Sequence, residues 1–379
     1  MSLRRKIEEE IRQRGPLPFS RYMEMCLYHP ELGYYAAHTQ QFGKAGDFYT
    51  SSDVHAVFGR LLARQFEEMW RALGSPAALQ IVELGPGRGL FAQDVLEWSE
   101  KKFPEFFRPV RYLLVEASPA LRQRLAEILA RHIQAGKAGI YSSIEELPKQ
   151  FPAPTIVFAN EFFDALPVEV VSDGGELRIA CEQGGFVESF VPATAATLEF
   201  LDRYSVHPEA GERVEAAPAA QQHMRAIANR IGSGFVIVID YGYTREEQLA
   251  GRHRGTVTAF RRHAISASPY QAPGEQDITA HVNFTALAVM ARALGLAAFP
   301  LVTQSQFLVG IGEDTQFSDA FEDCRLPQEQ AKVALQLKHV ATPAGMGDFF
   351  HVLVLARAVE KEKAAHLDGL RFAREVSSR

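Results

Sequence analysis

The spacing of hydrophobic positions along the chain predicts a helical start followed by alternating strands and helices. Apolar residues four positions apart predict an amphipathic helix over residues 3–13, and a longer apolar stripe predicts a second helix from residue 52 or 53 to about residue 73. From residue 79 to residue 159, short apolar runs alternate with helical patterns. This order is typical of a parallel sheet that carries helices on its faces.

The alternating pattern predicts several short strands with helices between them. The predicted strands are residues 79–84, 111–115, 139–141, 155–159, 235–239, 307–311 and 349–355. The predicted helices in this part of the chain are residues 90–98, 119–132 and 284–294. Gly295 predicts the end of the last of these helices, because glycine commonly follows a helix C-terminus.

Two segments interrupt this pattern. Residues 168–191 contain three short strand-like runs separated by glycine-rich turns, which predicts an antiparallel meander, and residues 195–231 predict helices. Residues 244–280 are polar and rich in turn formers. We therefore expect one sheet with two insertions, and we expect the insertions to cover the active site.

Composition excludes several classes of protein. The 379 residues are 47% hydrophobic and 23% charged, and a net charge of −6 offers no basic footprint for nucleic acid. No apolar run approaches the length of a membrane span, so no membrane insertion is expected. Three distant cysteines predict neither a disulfide framework nor a metal site. The acidic residues 8–10 argue against a transit peptide, so a cytoplasmic location is expected.

A glycine-rich motif lies where the strand at 79–84 meets the following helix. Residues 83–89 are Glu-Leu-Gly-Pro-Gly-Arg-Gly, and glycines at such a junction let a nucleotide approach the backbone. A dinucleotide fingerprint needs a further glycine where this chain has Leu90, and the lysine of a phosphate-binding loop is missing. The remaining pattern predicts S-adenosylmethionine (SAM), with S-adenosylhomocysteine as the product. The motif residues predicted to bind this cofactor are Glu83, Gly85, Pro86, Gly87 and Gly89.

Two acidic residues support this cofactor. Glu83 supplies an anion for a ligand that carries an ammonium and a sulfonium. Glu116 ends the strand at 111–115 and can accept hydrogen bonds from both ribose hydroxyls. Ala117 and Ser118 continue the same turn and belong to the predicted cofactor site.

A polar segment after the strand at 155–159 carries candidate catalytic residues. It lies next to the point where the strand order is expected to reverse, and ligands of open α/β sheets bind there. Methyl transfer depends on aligning the nucleophile, the methyl group and the sulfur, and positioning alone can supply roughly 7–11 kcal/mol. If the acceptor is a guanidinium, carboxylates can hold the cation and help remove a proton. We predict that Asn160 and Glu161 contact the cofactor and that Glu161 and Asp164 act in catalysis.

Nine motifs spread along the chain carry a resemblance to a known family. They are residues 18–24, 28–35, 46–52, 83–89, 160–167, 240–243, 274–284, 303–308 and 346–347. Together they resemble the MidA-type methyltransferases, which include the mitochondrial complex I assembly factor. The resemblance implies a class I SAM methyltransferase fold, which is a Rossmann-like α/β fold with a mostly parallel seven-stranded sheet, here with helical and strand insertions. It also implies a protein acceptor, because the mitochondrial branch methylates an arginine of a complex I subunit.

The resemblance also implies roles for residues outside the glycine-rich loop. Residues 46–52 are expected to pack over the cofactor, with Gly46, Asp47 and Thr50 at the cofactor site. The family usually has His-Val-Asp-Phe where residues 281–284 of this chain are His-Val-Asn-Phe. His281 is a candidate to assist proton removal or to line the acceptor site, and a hydrogen bond at a helix start is the alternative.

These patterns divide the chain into four expected regions. An N-terminal helical segment that packs over the cofactor site is residues 1–75, and the SAM-binding α/β core is residues 76–167 and 232–360. A substrate-side cap is residues 168–231 and 244–283, and a C-terminal tail is residues 361–379.

The predicted function is SAM-dependent methylation of an arginine side chain in a protein acceptor. Two alternatives use the same cofactor site: a small-molecule methyltransferase, and a SAM-binding assembly factor of a respiratory complex that catalyses nothing. A deep closed cavity favours the first alternative, whereas an open acidic groove favours a peptide acceptor. A homodimer is compatible with the sequence.

Overall fold

The computed structural model describes residues 1–37, 56–261, 264–342 and 347–376. Within these ranges the strands are β1 Leu17–Pro18, β2 Leu79–Leu84, β3 Val110–Val115, β4 Ala138–Tyr141, β5 Thr155–Asn160, β6 Glu169–Ser172, β7 Gly175–Glu182, β8 Gly185–Val191, β9 Arg213–Ala216, β10 Gly234–Tyr243, β11 Thr258–Arg261, β12 Ala264–Ile265, β13 Asp277–Thr279, β14 Val282–Asn283, β15 Ala297–Ala298, β16 Val302–Thr303 and β17 Phe350–Arg357.

The α-helices of the same ranges are α1 Leu3–Arg14, α2 Phe19–Tyr28, α3 Tyr34–Ala37, α4 Ala56–Ala72, α5 Leu90–Lys102, α6 Pro104–Phe107, α7 Pro119–Ile128, α8 Ala130–Gln134, α9 Ala195–Tyr204, α10 Pro218–Arg230, α11 Arg245–Leu249, α12 Phe284–Ala293, α13 Gln304–Glu313, α14 Ser318–Phe321, α15 Pro327–Ala341, α16 Lys361–Ala365 and α17 Arg371–Val376. Short 3-10 helices are Ile144–Glu146 and Asp368–Leu370. None of the helices in the described ranges combines the length and apolar character that crossing a membrane requires.

A central sheet with the strand order β15-β17-β10-β5-β2-β3-β4 organises the molecule. Five neighbouring strands of this sheet run parallel: β4, β3, β2, β5 and β10. Strand β17 pairs antiparallel with β10. The short strands β14 and β16 also join this sheet, on β10 and β17. This topology confirms the mostly parallel sheet of the predicted fold. The chain leaves β2 in one direction and β5 in the other, so the switch point lies between these two strands.

The central strands are continuous apolar runs because helices cover both faces of the sheet. All six residues of β2 are buried. Successive residues of β10 enter opposite layers: Val236 and Val238 pack with α10 and α12, and Ile237 packs with α4 and α5. Such a sheet holds the carboxyl ends of β2, β3 and β5 rigidly at one edge.

A second sheet is formed by residues of the first insertion and the N-terminal segment. Its order is β1-β7-β6-β9, and β8 pairs with β7. The predicted meander over residues 168–191 is confirmed by β6, β7 and β8. The prediction of helices throughout residues 195–231 is wrong in the middle, because β9 lies between α9 and α10 and pairs with β6. A third small sheet, β12-β11-β13, lies within residues 244–283.

The predicted strand at residues 307–311 is a helix, α13. A capping box at Thr303 and Gln306 starts this helix, and its apolar residues Phe307, Leu308 and Ile311 are buried on one side. Five apolar or small residues in a row fit a strand and a buried helix equally well, so the pattern was ambiguous. Helices α2 and α15 were not predicted from the sequence, and the predicted start of α4 at residue 52 or 53 lies outside the described residues.

Candidate active site

A cavity of about 250 Å³ lies at the carboxyl ends of the parallel strands, at the switch point between β2 and β5. The ends of four strands and the loops that follow them line it, with residues 85–88, 115–117, 142–145, 160–162 and 164–165. Further lining residues come from outside the central sheet: Tyr28, Tyr35, His223 and Asp277. The predicted cofactor residues that line this cavity are Gly85, Pro86, Gly87, Glu116, Ala117, Asn160 and Glu161.

The three glycines of the loop differ in what a side chain would meet. All three have positive φ angles: 65° at Gly85, 52° at Gly87 and 79° at Gly89. A Cβ atom at Gly87 would have no atom within 4 Å, whereas at Gly85 it would be 3.0 Å from Phe162 Cδ2. At Gly89 it would clash with Leu125 Cδ2, inside the core. Gly87 therefore leaves space for a ligand, and Gly89 leaves space for helix packing.

Glu116 is a buried carboxylate at the end of β3. Its Oε1 accepts a hydrogen bond from the backbone N–H of Ser118 at 2.8 Å. Burial raises the pKa of Glu116 to about 7, and the backbone N–H groups of Ser118 and Gly87 oppose that shift. The carboxylate thus stands in an apolar wall that includes Val115 and Leu121 and is ready to accept hydrogen bonds from a ligand.

Glu83 does not line the cavity. Its Oε2 accepts a hydrogen bond from the hydroxyl of Tyr112 at 2.8 Å, and only 5% of the residue is exposed. Burial raises the pKa of Glu83 to about 8. Adjacent residues of a strand face opposite sides of the sheet, so Leu84 reaches the cavity and Glu83 is directed away from it.

Ser118, another predicted cofactor residue, lies beside the cavity and has structural contacts. Ser118 caps α7 by accepting the N–H of Leu121, and its hydroxyl donates to the backbone oxygen of Tyr35 at 3.0 Å. Ser118 lines an adjoining cavity that shares Glu116 and Ala117 with the first. The predicted contacts of Gly46, Asp47 and Thr50 lie outside the described residues.

The loop after β5 holds a non-glycine residue in the left-handed region. Glu161 has a φ of 50°, a conformation that L side chains rarely adopt and that is common at functional sites. Asn160 Nδ2 donates to Glu161 Oε1 at 3.1 Å. The buried Asn160 Oδ1 has no hydrogen-bond partner among the described residues. Both side chains line the cavity.

Asp164 places a second carboxylate in the same cavity. Its Oδ2 accepts a hydrogen bond from the hydroxyl of Tyr241 at 2.6 Å. Its Oδ1 is buried and has no hydrogen-bond partner in the described part of the chain. Burial raises the pKa of Asp164 to about 6, although the hydrogen bond from Tyr241 lowers it. A carboxylate with one oxygen held and one open suits contact with a cationic ligand.

Asp240, which the sequence analysis did not select, holds this loop from β10. One carboxylate oxygen accepts the backbone N–H groups of Phe163 and Asp164 at 3.0 and 3.3 Å, and the other accepts the N–H of Tyr241 at 3.0 Å. Asp240 is fully buried, and burial together with the charges of Asp164 and Glu161 raises its pKa. Asp240 could have been selected from the sequence because it begins the motif at residues 240–243.

His281 lies behind the cavity wall and not among its lining residues. Its ring packs edge-on against Tyr241 at 5.3 Å, and its Nδ1 lies 3.1 Å from Nδ1 of His253. Burial and the neighbouring His253 lower the pKa of His281 to about 4. Tyr241 connects His281 to Asp164, because its ring packs against His281 and its hydroxyl donates to Asp164.

Asn283 lies at the position where the family resemblance implies an aspartate, and its contacts show what the amide does in this chain. Its Oδ1 accepts the N–H of Ala286 and so caps α12, as an aspartate would. Its Nδ2 donates to the backbone oxygen of Tyr204 at 2.9 Å, which a carboxylate cannot do. The side chain is buried, and these two bonds give it a structural role.

The residues of the cavity fit SAM as a ligand. The open space at Gly87 admits a group against the backbone, and the unpartnered Asn160 Oδ1 offers an acceptor for an ammonium. Glu116 stands at the position expected for a ribose, with Val115 and Ile144 as apolar neighbours. No group of three or more potential metal ligands occurs in the described ranges. The fold and this site define a class I SAM-dependent methyltransferase.

Comparison with known proteins gives the family. The chain belongs to the family described as "Putative S-adenosyl-L-methionine-dependent methyltransferase", whose model matches residues 61–302. "Protein arginine methyltransferase NDUFAF7, mitochondrial" from Danio rerio is 32% identical, over 96% of this chain and 89% of that protein. The Drosophila melanogaster homolog of the same name is 29% identical, over 97% and 87%.

A solved structure agrees with this family. A protein from Burkholderia thailandensis, crystallised with S-adenosyl-homocysteine, is 28% identical and superimposes with a TM-score of 0.83, covering 97% of this chain and 94% of that one. SAM is therefore the cofactor, as the glycine-rich motif predicted. The expected cytoplasmic location is contradicted, because the curated relatives are named as mitochondrial proteins.

Proposed function

We propose that this enzyme transfers the methyl group of SAM to an arginine side chain of a protein acceptor. The observation that carries the proposal is the pair of carboxylates, Glu161 and Asp164, in the cavity that fits the cofactor. Asp164 Oδ1 is buried without a partner among the described residues, so an arriving guanidinium would satisfy it. The names of the relatives as protein arginine methyltransferases support this acceptor.

The cofactor-binding roles follow from the lining of the cavity. When bound, SAM supplies a methyl group on a sulfonium that is already a good leaving group. Glu116 would hold the ribose hydroxyls, and the backbone at Gly85 and Gly87 would lie against the amino acid part of the ligand. Asn160 Oδ1 would accept a hydrogen bond from the ammonium. Glu83 would support the cofactor site indirectly, because it accepts a hydrogen bond from Tyr112 and does not line the cavity.

The two carboxylates would orient the acceptor and take its proton. A free guanidinium is always protonated near neutral pH and has no lone pair to offer, so the attacking nitrogen must lose a proton as the N–C bond forms. Glu161 and Asp164 would hold the guanidinium by charge-assisted hydrogen bonds and keep one nitrogen in line with the methyl group. Asp164 Oδ1 would then accept the proton, since its pKa of about 6 leaves it ionised at neutral pH.

The regions of the chain would have different roles in binding the cofactor and the acceptor. The α/β core, residues 76–167 and 232–360, would bind SAM, residues 1–75 would pack over the cofactor site, and the insertions 168–231 and 244–283 would form a cap on the substrate side. Three residues that line the cavity support this division. Tyr28 and Tyr35 enter the cavity from the N-terminal segment, and Asp277 enters from the second insertion. None of the described C-terminal residues 361–373 lines the cavity.

The test is transfer of labelled methyl groups. We expect the purified enzyme, incubated with methyl-labelled SAM and a lysate of cells that lack it, to label a protein band in which mass spectrometry finds methylarginine. Asp164→Asn should lower labelling at least a hundredfold, and the exposed Asp173→Asn should not change it. Label found only in small molecules, with SAM binding intact, would refute a protein acceptor.

A further inference from the structure

Two tyrosines and one aspartate line the cavity from outside the α/β core. Tyr28 ends α2, Tyr35 lies in α3, and Asp277 begins β13. Their rings and carboxylate are brought to the cavity by segments that are separated by more than two hundred residues in sequence. None of them belongs to the glycine-rich loop or to the segment after β5.

Direct contacts fix this group in place. The hydroxyl of Tyr35 donates to Asp277 Oδ1 at 3.0 Å, and the hydroxyl of Tyr28 donates to the backbone oxygen of Ala165 at 3.0 Å. The two tyrosine rings lie 5.5 Å apart. The backbone N–H of Ala280, just after β13, donates to the backbone oxygen of Asp164 at 2.9 Å. These bonds tie β13 and the tyrosines to the loop that carries the candidate catalytic carboxylates.

Acidic side chains outnumber basic ones in the described lining of the cavity. Its described lining contains five carboxylates, at Glu116, Glu145, Glu161, Asp164 and Asp277. Arg88 is the one arginine or lysine in that lining. Asp164 is 5% exposed and Asp277 is 7% exposed, so bulk water screens the electrostatic interactions of these side chains only weakly. The unpartnered Asp164 Oδ1 adds an acceptor that a cationic ligand would occupy.

We infer that Asp277, oriented by Tyr35, is a specificity-determining anchor for the acceptor, and that the Tyr28 and Tyr35 rings form the aromatic wall against which a guanidinium lies. This inference rests on the proposed function and names the element that selects the acceptor. A planar guanidinium can contact carboxylates on two sides with its five N–H donors while its face packs on an aromatic ring. An ammonium offers a point charge and makes fewer of these contacts.

Small cations test the inference without knowledge of the protein acceptor. The probes are ethylguanidinium, ethylammonium and the neutral ethylurea, titrated by ligand-observed NMR against full-length enzyme loaded with S-adenosylhomocysteine. We expect wild-type enzyme to bind ethylguanidinium at least tenfold more tightly than either other probe. Asp277→Asn should lower ethylguanidinium affinity at least tenfold and should change S-adenosylhomocysteine affinity less than twofold.

A second variant covers the case in which Asp277→Asn fails to fold. Tyr35→Phe keeps the ring and removes the hydroxyl that orients Asp277, so we expect a threefold to tenfold loss of ethylguanidinium affinity with unchanged S-adenosylhomocysteine affinity. Asp173→Asn, on an exposed turn, is the matched charge control and should change neither.

The outcomes separate this inference from the proposed function. If wild-type enzyme binds ethylguanidinium and both variants bind it within twofold of wild type, Asp277 is not an anchor, and the proposed function stands. If either variant loses S-adenosylhomocysteine affinity, the group belongs to the cofactor site and the inference is overturned. If wild-type enzyme does not prefer ethylguanidinium, both the guanidinium acceptor and the inference are refuted.

Discussion

At the scale of single residues, the glycine-rich loop separates binding from packing. Gly87 and Gly89 are two positions apart and both have positive φ, yet a Cβ atom would enter open space at the first and the Leu125 side chain at the second. Leu125 is fully buried, so it has little room to give way. The same substitution should therefore have different consequences at the two sites.

We predict that Gly87→Ala lowers affinity for S-adenosylhomocysteine at least tenfold, because its methyl group occupies ligand space. Its stability should fall by only about 1–2 kcal/mol, the cost of the left-handed backbone. Gly89→Ala adds a clash with Leu125 and should destabilise the fold by at least about 2 kcal/mol. Calorimetric titration and urea unfolding measure the two quantities, and equal effects of both variants on binding and on stability would contradict this division.

Asp164 should give methyl transfer a dependence on pH. Its pKa is raised to about 6 by burial, so the side chain is ionised above that pH and protonated below it. Only the ionised form can accept the proton of the acceptor. We expect the single-turnover rate to fall about tenfold per pH unit below pH 6 and to be flat from pH 7 to 8.

His281 does not explain such a profile, because its pKa of about 4 keeps it neutral throughout that range. Asp164→Asn should abolish the pH-dependent limb and should retain affinity for S-adenosylhomocysteine. A wild-type rate that stays constant from pH 5 to 8 would exclude Asp164 as the proton acceptor.

At the scale of elements, β10 controls the loop after β5 through Asp240. The two strands are parallel neighbours in the sheet, and Asp240 accepts three backbone N–H groups at their carboxyl ends. Two of those groups belong to Phe163 and Asp164, close to the left-handed Glu161. A strained residue persists only when its surroundings hold it: the backbone N–H of Glu161 donates to the backbone oxygen of Ile239 at 2.9 Å, and Asp240 holds the residues that follow Glu161.

We predict that Asp240→Ala slows methyl transfer at least tenfold and changes S-adenosylhomocysteine affinity less than threefold. The variant leaves three buried N–H groups without an acceptor and should lose about 2–4 kcal/mol of stability. Asp240→Asn retains one acceptor oxygen and should lie between the wild type and the alanine variant in rate and stability. Alanine and asparagine variants with wild-type rates would show that the loop keeps its conformation without Asp240.

At the scale of the whole molecule, buried carboxylates outside the cavity link stability to pH. Glu83 has a pKa of about 8 in the folded protein, against 4.5 for a free side chain. Between those values the unfolded chain has lost the Glu83 proton and the folded chain still holds it. Stability therefore falls as pH rises through this range, by up to about 1.4 kcal/mol per unit from this residue.

We predict that the stability of wild-type protein relative to Glu83→Gln falls by about 2 kcal/mol between pH 6 and pH 8. The glutamine retains an acceptor for the Tyr112 hydroxyl and has no proton to lose in this range. Urea unfolding at the two pH values measures the difference. Glu97→Gln, on the exposed side of α5, should show no such change. A relative stability that does not vary with pH would mean that Glu83 is ionised in the folded protein.

The whole molecule also includes pairings that no local pattern encodes. β1 from the N-terminal segment pairs with β7 of the first insertion, and β9 joins the same sheet beside β6. β9 has only four residues, which is too short a run to show the alternating pattern of a strand. Its partner strand β6 lies about forty residues away in sequence. Tertiary contacts decided the structure of such short segments.

The mostly parallel sheet, the cofactor and the family could be predicted from the amino-acid sequence, because the motifs that indicate them are continuous in the chain. Strand, glycine-rich turn and helix are adjacent in the chain, and the acid at the end of β3 follows at a fixed place in the next unit. Glu116, Asn160, Glu161 and Asp164 could be selected on that basis, and all four line the cavity.

Tertiary packing sets which of the remaining side chains share the cavity. It directed Glu83 to Tyr112, set His281 behind Tyr241, and brought Asp277 to Tyr35 across 242 residues of sequence. Strand alternation, burial and long-range pairing determine such positions, and they depend on how distant segments pack together. Sequence spacing carries no record of that packing, so the part of the cavity lining formed by Tyr28, Tyr35 and Asp277 could be located only in the fold.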